Sequence, residues 1–141
     1  MGATVEVFVT GTTLVLIKHP SKGNAENGRA ICDDIRRQLG RDSTPICLFH
    51  DATDMLTANS EYAGEFKKLD KEIEARLAEV VCAIPGSIPR MMAHTVAMLS
   101  DKPWNIFKSK PEAMAYLNDR GFRLGDGYMT QVEAVKLVVL K

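Results

Sequence analysis

The chain has 141 residues, 45% of them hydrophobic and 26% charged, which is the size and composition of one domain with a buried core. Its 18 lysines and arginines balance 18 aspartates and glutamates, and this formal net charge of +0 argues against a general nucleic-acid-binding protein. The three cysteines are odd in number and form no CxxC pair, so we expect buried reduced thiols at Cys47 and Cys82 rather than a disulfide framework or zinc knuckle.

The first half of the chain predicts a hairpin, a helix and a buried strand. Positions 5–10 have the period of two that is typical of a strand, Gly11 turns the chain, and "TTLVLIKH" forms the second strand of the hairpin. Apolar positions at 24–39 fall on one helical face, and Gly40 is a natural end for that helix. The apolar run "TPICLFHD" is too short for a helix and predicts a buried strand.

A long amphipathic helix and a fully apolar strand are predicted next. Ser60 is the predicted N-cap of the helix, with Glu61 in the first turn, where the helix dipole favours an anion. The predicted buried stripe consists of Tyr62, Phe66, Leu69, Ile73 and Leu77. The predicted outer face consists of Lys67, Lys68, Asp70, Lys71, Glu72 and Glu74. The run "VVCAI" is apolar throughout, which is typical of a strand covered on both faces.

Two more helices and one strand complete the predicted domain. Ser87 is the predicted cap of the third helix, and Pro89 lies in its first turn. The predicted core stripe of this helix is Met91, Met92, Val96 and Leu99. The segment "PWNIFKS" predicts a fifth strand, and the capping box "SKPE" at 109–112 begins a fourth helix that ends at Gly121.

The order of elements predicts an α/β fold. Strands that alternate with helices indicate a mixed, mostly parallel five-stranded sheet with an N-terminal hairpin, covered by about four helices. We assign residues 1–122 to this domain and residues 123–141 to a C-terminal extension packed on the same domain. A second capping box at 130–133 favours a helix in the extension.

Three segments resemble the STAS-domain superfamily, and within it the SpoIIAA-like branch. They are "LFHDATDM", the long helix with its strand "YAGEFKKLDKEIEARLAEVVCAI", and the closing "FKSKPEAMAYL", which is similar to that branch's F-x-x-x-x-EA-x-x-WL ending. The likeness runs from about residue 5 to residue 117, and it is carried by the order and spacing of the segments.

The resemblance implies a binding or signalling module rather than an enzyme. Relatives include anti-sigma-factor antagonists that are regulated by phosphorylation of a serine just after the third strand. Asp51 matches their strand-end aspartate and Ser60 lies near the acceptor position, although this chain has "ANSEYAG" where they have "DSSG". The branch is also similar to Sec14-type lipid carriers, which implies a pocket for an apolar ligand.

Polar residues at the carboxyl end of the predicted sheet form the candidate site. His50, Asp51 and Asp54 end the third predicted strand, where ligands bind in open α/β sheets. Ser87 and Arg90 open the third helix, whose N-terminal amides favour an anion. Asp51 and Asp54 also fit a turn in which their carboxylates accept backbone N–H groups. The three histidines have no metal-ligand spacing, and we expect no metal and no cofactor.

The functional prediction is a non-enzymatic, cytoplasmic regulatory module of STAS type that binds a partner protein or a small apolar or anionic ligand such as a lipid. The alternative is a small hydrolase or isomerase that uses His50, Asp51 and Asp54. No apolar stretch is long enough to cross a bilayer, and no nucleic-acid partner is expected. A homodimer is also considered, because the hairpin and the Val/Leu-rich extension both offer surfaces that need cover.

Overall fold

Helices and strands alternate along the described part of the chain, which comprises residues 2–9, 12–41, 43–120 and 122 of this computed structural model. The strands are β1 (Gly2–Val9), β2 (Thr12–Lys18), β3 (Lys22–Gly23), β4 (Ile46–Asp51), β5 (Thr57–Ala58), β6 (Leu77–Ala83) and β7 (Trp104–Phe107). The helices are α1 (Ala25–Gln38), α2 (Ser60–Glu72), α3 (Ser87–Met98) and α4 (Lys110–Asp119). The predicted α/β class and its four helices are confirmed within these residues.

The main sheet is mostly parallel, as predicted. Its order is β1-β2-β4-β6-β7, with β1 antiparallel to β2 and every later pair parallel. A second, small sheet, which the sequence did not predict, joins β3 to β5 in parallel. Two-residue strands carry no periodicity, and for this reason the sequence did not reveal them.

The strands join the sheet in chain order, so the order never reverses. Binding crevices of open α/β sheets normally form where strand order reverses, and this sheet has no such point within the described residues. The crevice predicted at the sheet edge must therefore come from the helices that cover it.

Apolar side chains fill both faces of the sheet. On one face, Ile46 and Leu48 of β4 pack in one cluster with residues of α1 and α2, and Ala93 of α3 packs against that cluster. On the other face, Cys47 and Phe49 pack with residues of α4. This two-sided cover explains why β4 and β6 are apolar along almost their whole length. Cys32, Cys47 and Cys82 are buried and free, which confirms the buried thiols predicted at Cys47 and Cys82.

Helix starts agree with the sequence to within one residue. Ser109 caps α4 as predicted, with its hydroxyl accepting from the N–H of Glu112. Ser60 was the wrong cap for α2, since the side chain of Asn59 accepts from the N–H of Tyr62 at 2.9 Å. Asparagine and serine are nearly equal as caps, so composition alone does not choose between neighbours.

The third helix differs most from its prediction. Its cap position is Gly86 rather than Ser87, and no side-chain bond closes its first turn. Met91 and Leu99, predicted as core, are 68% and 75% exposed. Within α3 only Pro89 is fully buried. The helix is apolar around most of its circumference, so periodicity did not indicate which face turns inward.

Two further sequence predictions are resolved in part. Leu77, predicted as the end of the helical stripe, is the first residue of β6. The predicted extension 123–141 and the helix end at Gly121 lie outside the described residues.

Among the described residues, no helix combines the length and the apolar character needed to cross a membrane.

Candidate functional site

His50 and Asp51 point to opposite faces of the sheet. They are consecutive in β4, and successive side chains of a strand alternate between faces. His50 faces α2 and α3, whereas Asp51 reaches Lys110 at the start of α4. The acids and the histidine predicted for the hydrolase alternative are therefore not assembled into one constellation.

Asp51 is a buried carboxylate whose two oxygens have different partners. Only 1% of the residue is exposed, and its Oδ1 accepts from the backbone N–H and the hydroxyl of Thr53. Its Oδ2 lies 3.0 Å from Nζ of Lys110, a charge contact rather than a well-directed hydrogen bond. This is the turn geometry considered from the sequence, with a buried ion pair added. Lys110 lies in the first turn of α4, where a positive charge is unfavourable with respect to the helix dipole. This unfavourable position was the feature of the sequence that could have suggested an acidic partner for Lys110.

The other predicted site residues lie around the same edge without forming one site. Asp54 is exposed and lies 3.4 Å from Nζ of Lys18. Arg90 turns back on the chain, and its Nη1 donates to the carbonyl oxygens at Ile84 and Pro85, at 3.0 and 2.9 Å. Ser87 and Ser60 are exposed at the starts of α3 and α2. Phosphorylation of Ser60 stays a prediction.

A cavity of about 90 Å³ lies between this edge of the sheet, α2 and α3. The tips of β4 and β6 are neighbours here, since Asp51 pairs with Ala83. The walls are mainly apolar and include Met55, Phe66, Ile84, Met92, Val96 and Trp104. This part of the sheet edge is enclosed mainly by hydrocarbon and aromatic surface rather than by charge.

Three polar side chains form a hydrogen-bonded relay in the wall of this cavity. Nδ1 of His19 contacts the hydroxyl of Tyr62, and Nε2 of His19 lies 2.8 Å from Nδ1 of His50. The indole ring of Trp104 stacks at 6.4 Å from the ring of His50, measured between centroids. Phe66 packs its ring against both histidines. The relay residues are thus held in place by aromatic packing.

Two glycines make room for the phenol ring of Tyr62. A Cβ atom on Gly28 would lie 3.1 Å from Cδ1 of Tyr62, and one on Gly23 would lie 3.0 Å from Cδ2. Both distances are shorter than ordinary van der Waals contact, so larger residues at these positions would push the ring aside. The sequence analysis placed Tyr62 in the buried stripe of the helix and gave His19 no partner, so it did not predict the relay. The two glycines were the one local feature of the sequence that pointed to a closely packed ring at this place.

Burial keeps both histidines neutral. Desolvation lowers the pKa of His50 to about 4. The pKa of His19 is lowered well below its ordinary value by burial and, secondarily, by the neighbouring His50. At neutral pH the relay therefore consists of two uncharged imidazoles and one phenol, and its protons are shared by hydrogen bonding rather than by ionisation.

Asp70 was predicted on the outer face of α2, and this was wrong. The residue is half-buried at the start of a second cleft that it shares with Val96 and Leu99 of the α3 end. Its Oδ1 is buried without a hydrogen-bond partner among the described residues. Burial raises the pKa of Asp70 to about 7. Charge alone suggested exposure, but Asp70 follows Phe66 by four positions and lies on the inward side of the helix.

Replacing Asp70 with asparagine is expected to stabilise the protein above neutral pH. The folded pKa of about 7 exceeds the ordinary 3.8, so the folded state keeps a proton that the unfolded chain releases, and stability falls as pH rises between these values. Partial exposure reduces the effect, and we expect a gain of about 1–2 kcal/mol for Asp70→Asn at pH 8, vanishing near pH 4.

Urea unfolding at both pH values measures this gain. Asp101→Asn is the matched control, because Asp101 is exposed in the same cleft and its replacement should change little at either pH. A gain of equal size at pH 4 and pH 8 would contradict an origin in ionisation of Asp70.

No group of three or more His, Cys, Asp or Glu side chains within the described ranges is placed to hold a metal ion. Comparison of the whole chain with protein-family models, curated proteins and solved structures finds no match. The likeness to STAS domains therefore rests on the sequence segments quoted above.

Proposed function

We propose that this chain is a non-enzymatic regulatory module of STAS type that binds a small apolar ligand in the cavity between α2, α3 and the sheet edge. One observation carries the proposal: an apolar cavity with a buried polar relay in its wall. Protein interiors are normally closely packed, and nonpolar molecules bind in cavities that are lined by apolar groups. The cytoplasmic location and a protein partner stay predictions from the sequence.

We expect α3 to move outward when a ligand enters, because the cavity is smaller than an ordinary ligand pocket. Its volume of about 90 Å³ is well below the roughly 300–1,000 Å³ of typical ligand pockets. Met92, Ala93 and Val96 of α3 form one wall. With one fully buried residue and no side-chain cap, α3 is the least anchored part of that wall. An outward shift of this helix would enlarge the cavity without disturbing the sheet.

Such a shift would also change the surface that the module presents. Ile88, Met91 and Met98 lie on the outer face of α3 and are 68%, 68% and 85% exposed. Ligand occupancy and the position of this apolar face would be linked, because both depend on where α3 sits. A regulatory module needs a link of this kind between a ligand and a contact surface.

Filling the cavity is expected to weaken binding of a neutral apolar probe. The dye N-phenyl-1-naphthylamine, which fluoresces in apolar surroundings, is the probe. Ala93→Phe places a ring in the cavity, and we expect the dissociation constant to rise by about tenfold, or about 1.4 kcal/mol. Fluorescence titration measures the constant for each variant.

Ala115→Phe is the matched control, since Ala115 is exposed on α4, on the other side of the sheet. Its dissociation constant should equal that of the wild-type protein. Equal binding by all three proteins would show that the dye occupies another surface, and the cavity would lose its assigned role.

A further inference from the structure

We infer that the cavity selects uncharged apolar molecules that carry one hydrogen-bond-accepting oxygen, such as a ketone or an ester, and that His50 donates its Nε2–H to that oxygen. This inference rests on the proposed function and defines the ligand class for the same cavity. It follows from the order of protons along the relay and from the absence of charge in the described wall.

Tyr62 sets the direction of the relay. When its hydroxyl donates to Nδ1 of His19, the proton of His19 resides on Nε2 and donates to Nδ1 of His50. His50 then carries its own proton on Nε2. The opposite order would leave the Tyr62 hydroxyl proton without an acceptor among the described residues, and a buried donor without an acceptor is costly.

The last residue of the relay, His50, lines the cavity. Nε2 of His50 has no hydrogen-bond partner in the described part of the chain, and the ring of His50 lines the cavity. Nε1 of Trp104 also has no hydrogen-bond partner among the described residues, but this nitrogen is fully buried in the wall. Nε2 of His50 is not among these fully buried, unpartnered atoms. The relay therefore presents one N–H donor to a molecule in the cavity.

The wall provides no counter-charge for an ion. No lysine, arginine, aspartate or glutamate is among the described residues that line the cavity. A carboxylate or phosphate would lose its hydration there without gaining a cation, and both histidines of the relay are neutral. A pure hydrocarbon would leave the N–H of His50 unpaired. An uncharged molecule with a single acceptor oxygen needs no counter-charge, and its oxygen can accept the N–H of His50.

The first test locates the protons in the unmodified protein. Long-range ¹H–¹⁵N spectra of the imidazole rings distinguish the two tautomers. We expect His19 and His50 both to be protonated on Nε2, and we expect the Nε2 proton of His50 to shift when 2-hexanone is added but not when hexane is added. A proton on Nδ1 of His50, or equal shifts with both compounds, would overturn the inference.

The second test compares affinities for 2-hexanone, hexane and pentanoate, measured by displacement of the naphthylamine dye. His50→Phe removes the donor, so the ratio of ketone affinity to alkane affinity should fall by about three- to tenfold relative to wild type. His94→Phe is the control, because His94 is exposed on α3, and it should keep the wild-type ratio. Pentanoate should bind the wild-type protein more weakly than 2-hexanone.

The outcomes separate the two proposals. An unchanged ratio in His50→Phe, or tighter binding of pentanoate than of the ketone, overturns the ligand class while the apolar cavity keeps its proposed function. If none of the compounds displaces the dye from the wild-type protein, both proposals fail together. Should His50→Phe not fold, the ring spectra of the wild-type protein decide the question.

Discussion

Replacing Lys110 with methionine is expected to lower the free energy of unfolding by about 3–5 kcal/mol, because it leaves the carboxylate of Asp51 buried without its cation. Asp51 is 1% exposed, and the side chain of Lys110 is 14% exposed at a distance of 3.0 Å. The remaining contacts from Thr53 reach only Oδ1 of Asp51. Urea unfolding at pH 7 measures the loss.

Two comparisons test the origin of this loss. Lys108→Met is the matched control, since Lys108 is exposed two positions earlier and should change stability by less than about 0.5 kcal/mol. The double variant Asp51→Asn with Lys110→Met removes both charges and should recover at least half of the loss. A loss for Lys110→Met no larger than that for Lys108→Met would mean that solvent already screens Asp51.

Acid is expected to destabilise the fold through His50. The pKa of His50 is about 4 in the folded protein and 6.5 ordinarily. Between these pH values the unfolded chain binds a proton at His50 and the folded state does not. The stabilisation is complete above pH 6.5 and is lost as pH falls toward 4. At pH 4 the loss from His50 alone is about 3 kcal/mol. His19, with a lowered pKa of its own, acts in the same direction.

The measurement must separate His50 from groups that titrate in the same range. Asp70 acts in the opposite direction, since its raised pKa favours the folded state at low pH. Both the wild-type protein and His50→Phe contain Asp70, so the contribution of Asp70 cancels when their free energies of unfolding are subtracted. We expect the variant to lose about 3 kcal/mol less than wild type between pH 7.5 and pH 4. His94→Phe, at an exposed position, should lose as much as wild type.

A direct titration complements the unfolding data. The ring resonances of His50 should remain those of a neutral imidazole from pH 7.5 down to about pH 5. Protonation near pH 6.5 in the folded protein would remove the physical basis of this prediction, and it would also mean that water reaches the relay freely.

Much of the architecture was predictable because each element carries its own burial pattern. The single apolar face of α1, the unbroken apolar runs of β4 and β6, and the cap at Ser109 are local features. Alternation of strands and helices then restricted the sheet to mostly parallel pairing. The two-residue strands β3 and β5 were not predictable, since they form only after distant segments have packed.

The cavity lies at the sheet edge where the sequence analysis placed its candidate site, and of the residues predicted for that site His50 lines the cavity. His50 and Asp51 are neighbours in sequence, and period-two geometry separates them onto opposite faces. Asp51 meets Lys110 across 59 positions of chain only because α4 packs on its side of the sheet. Asp70 was assigned to solvent by its charge, although its helical position turns it inward.

The sequence by itself determined the α/β class, the hairpin, the helix starts to within a residue and the apolar character of the central strands, since these depend on interactions between near neighbours. Only the tertiary structure decided which face of α3 turns inward and that His19, His50 and Tyr62 meet. Pairing of Ile17 with His50 in β2 and β4 brings His19 to His50, and packing of α2 adds Tyr62. Such contacts depend on strand register and on helix placement, which are set by the packing of the whole core rather than by any local segment.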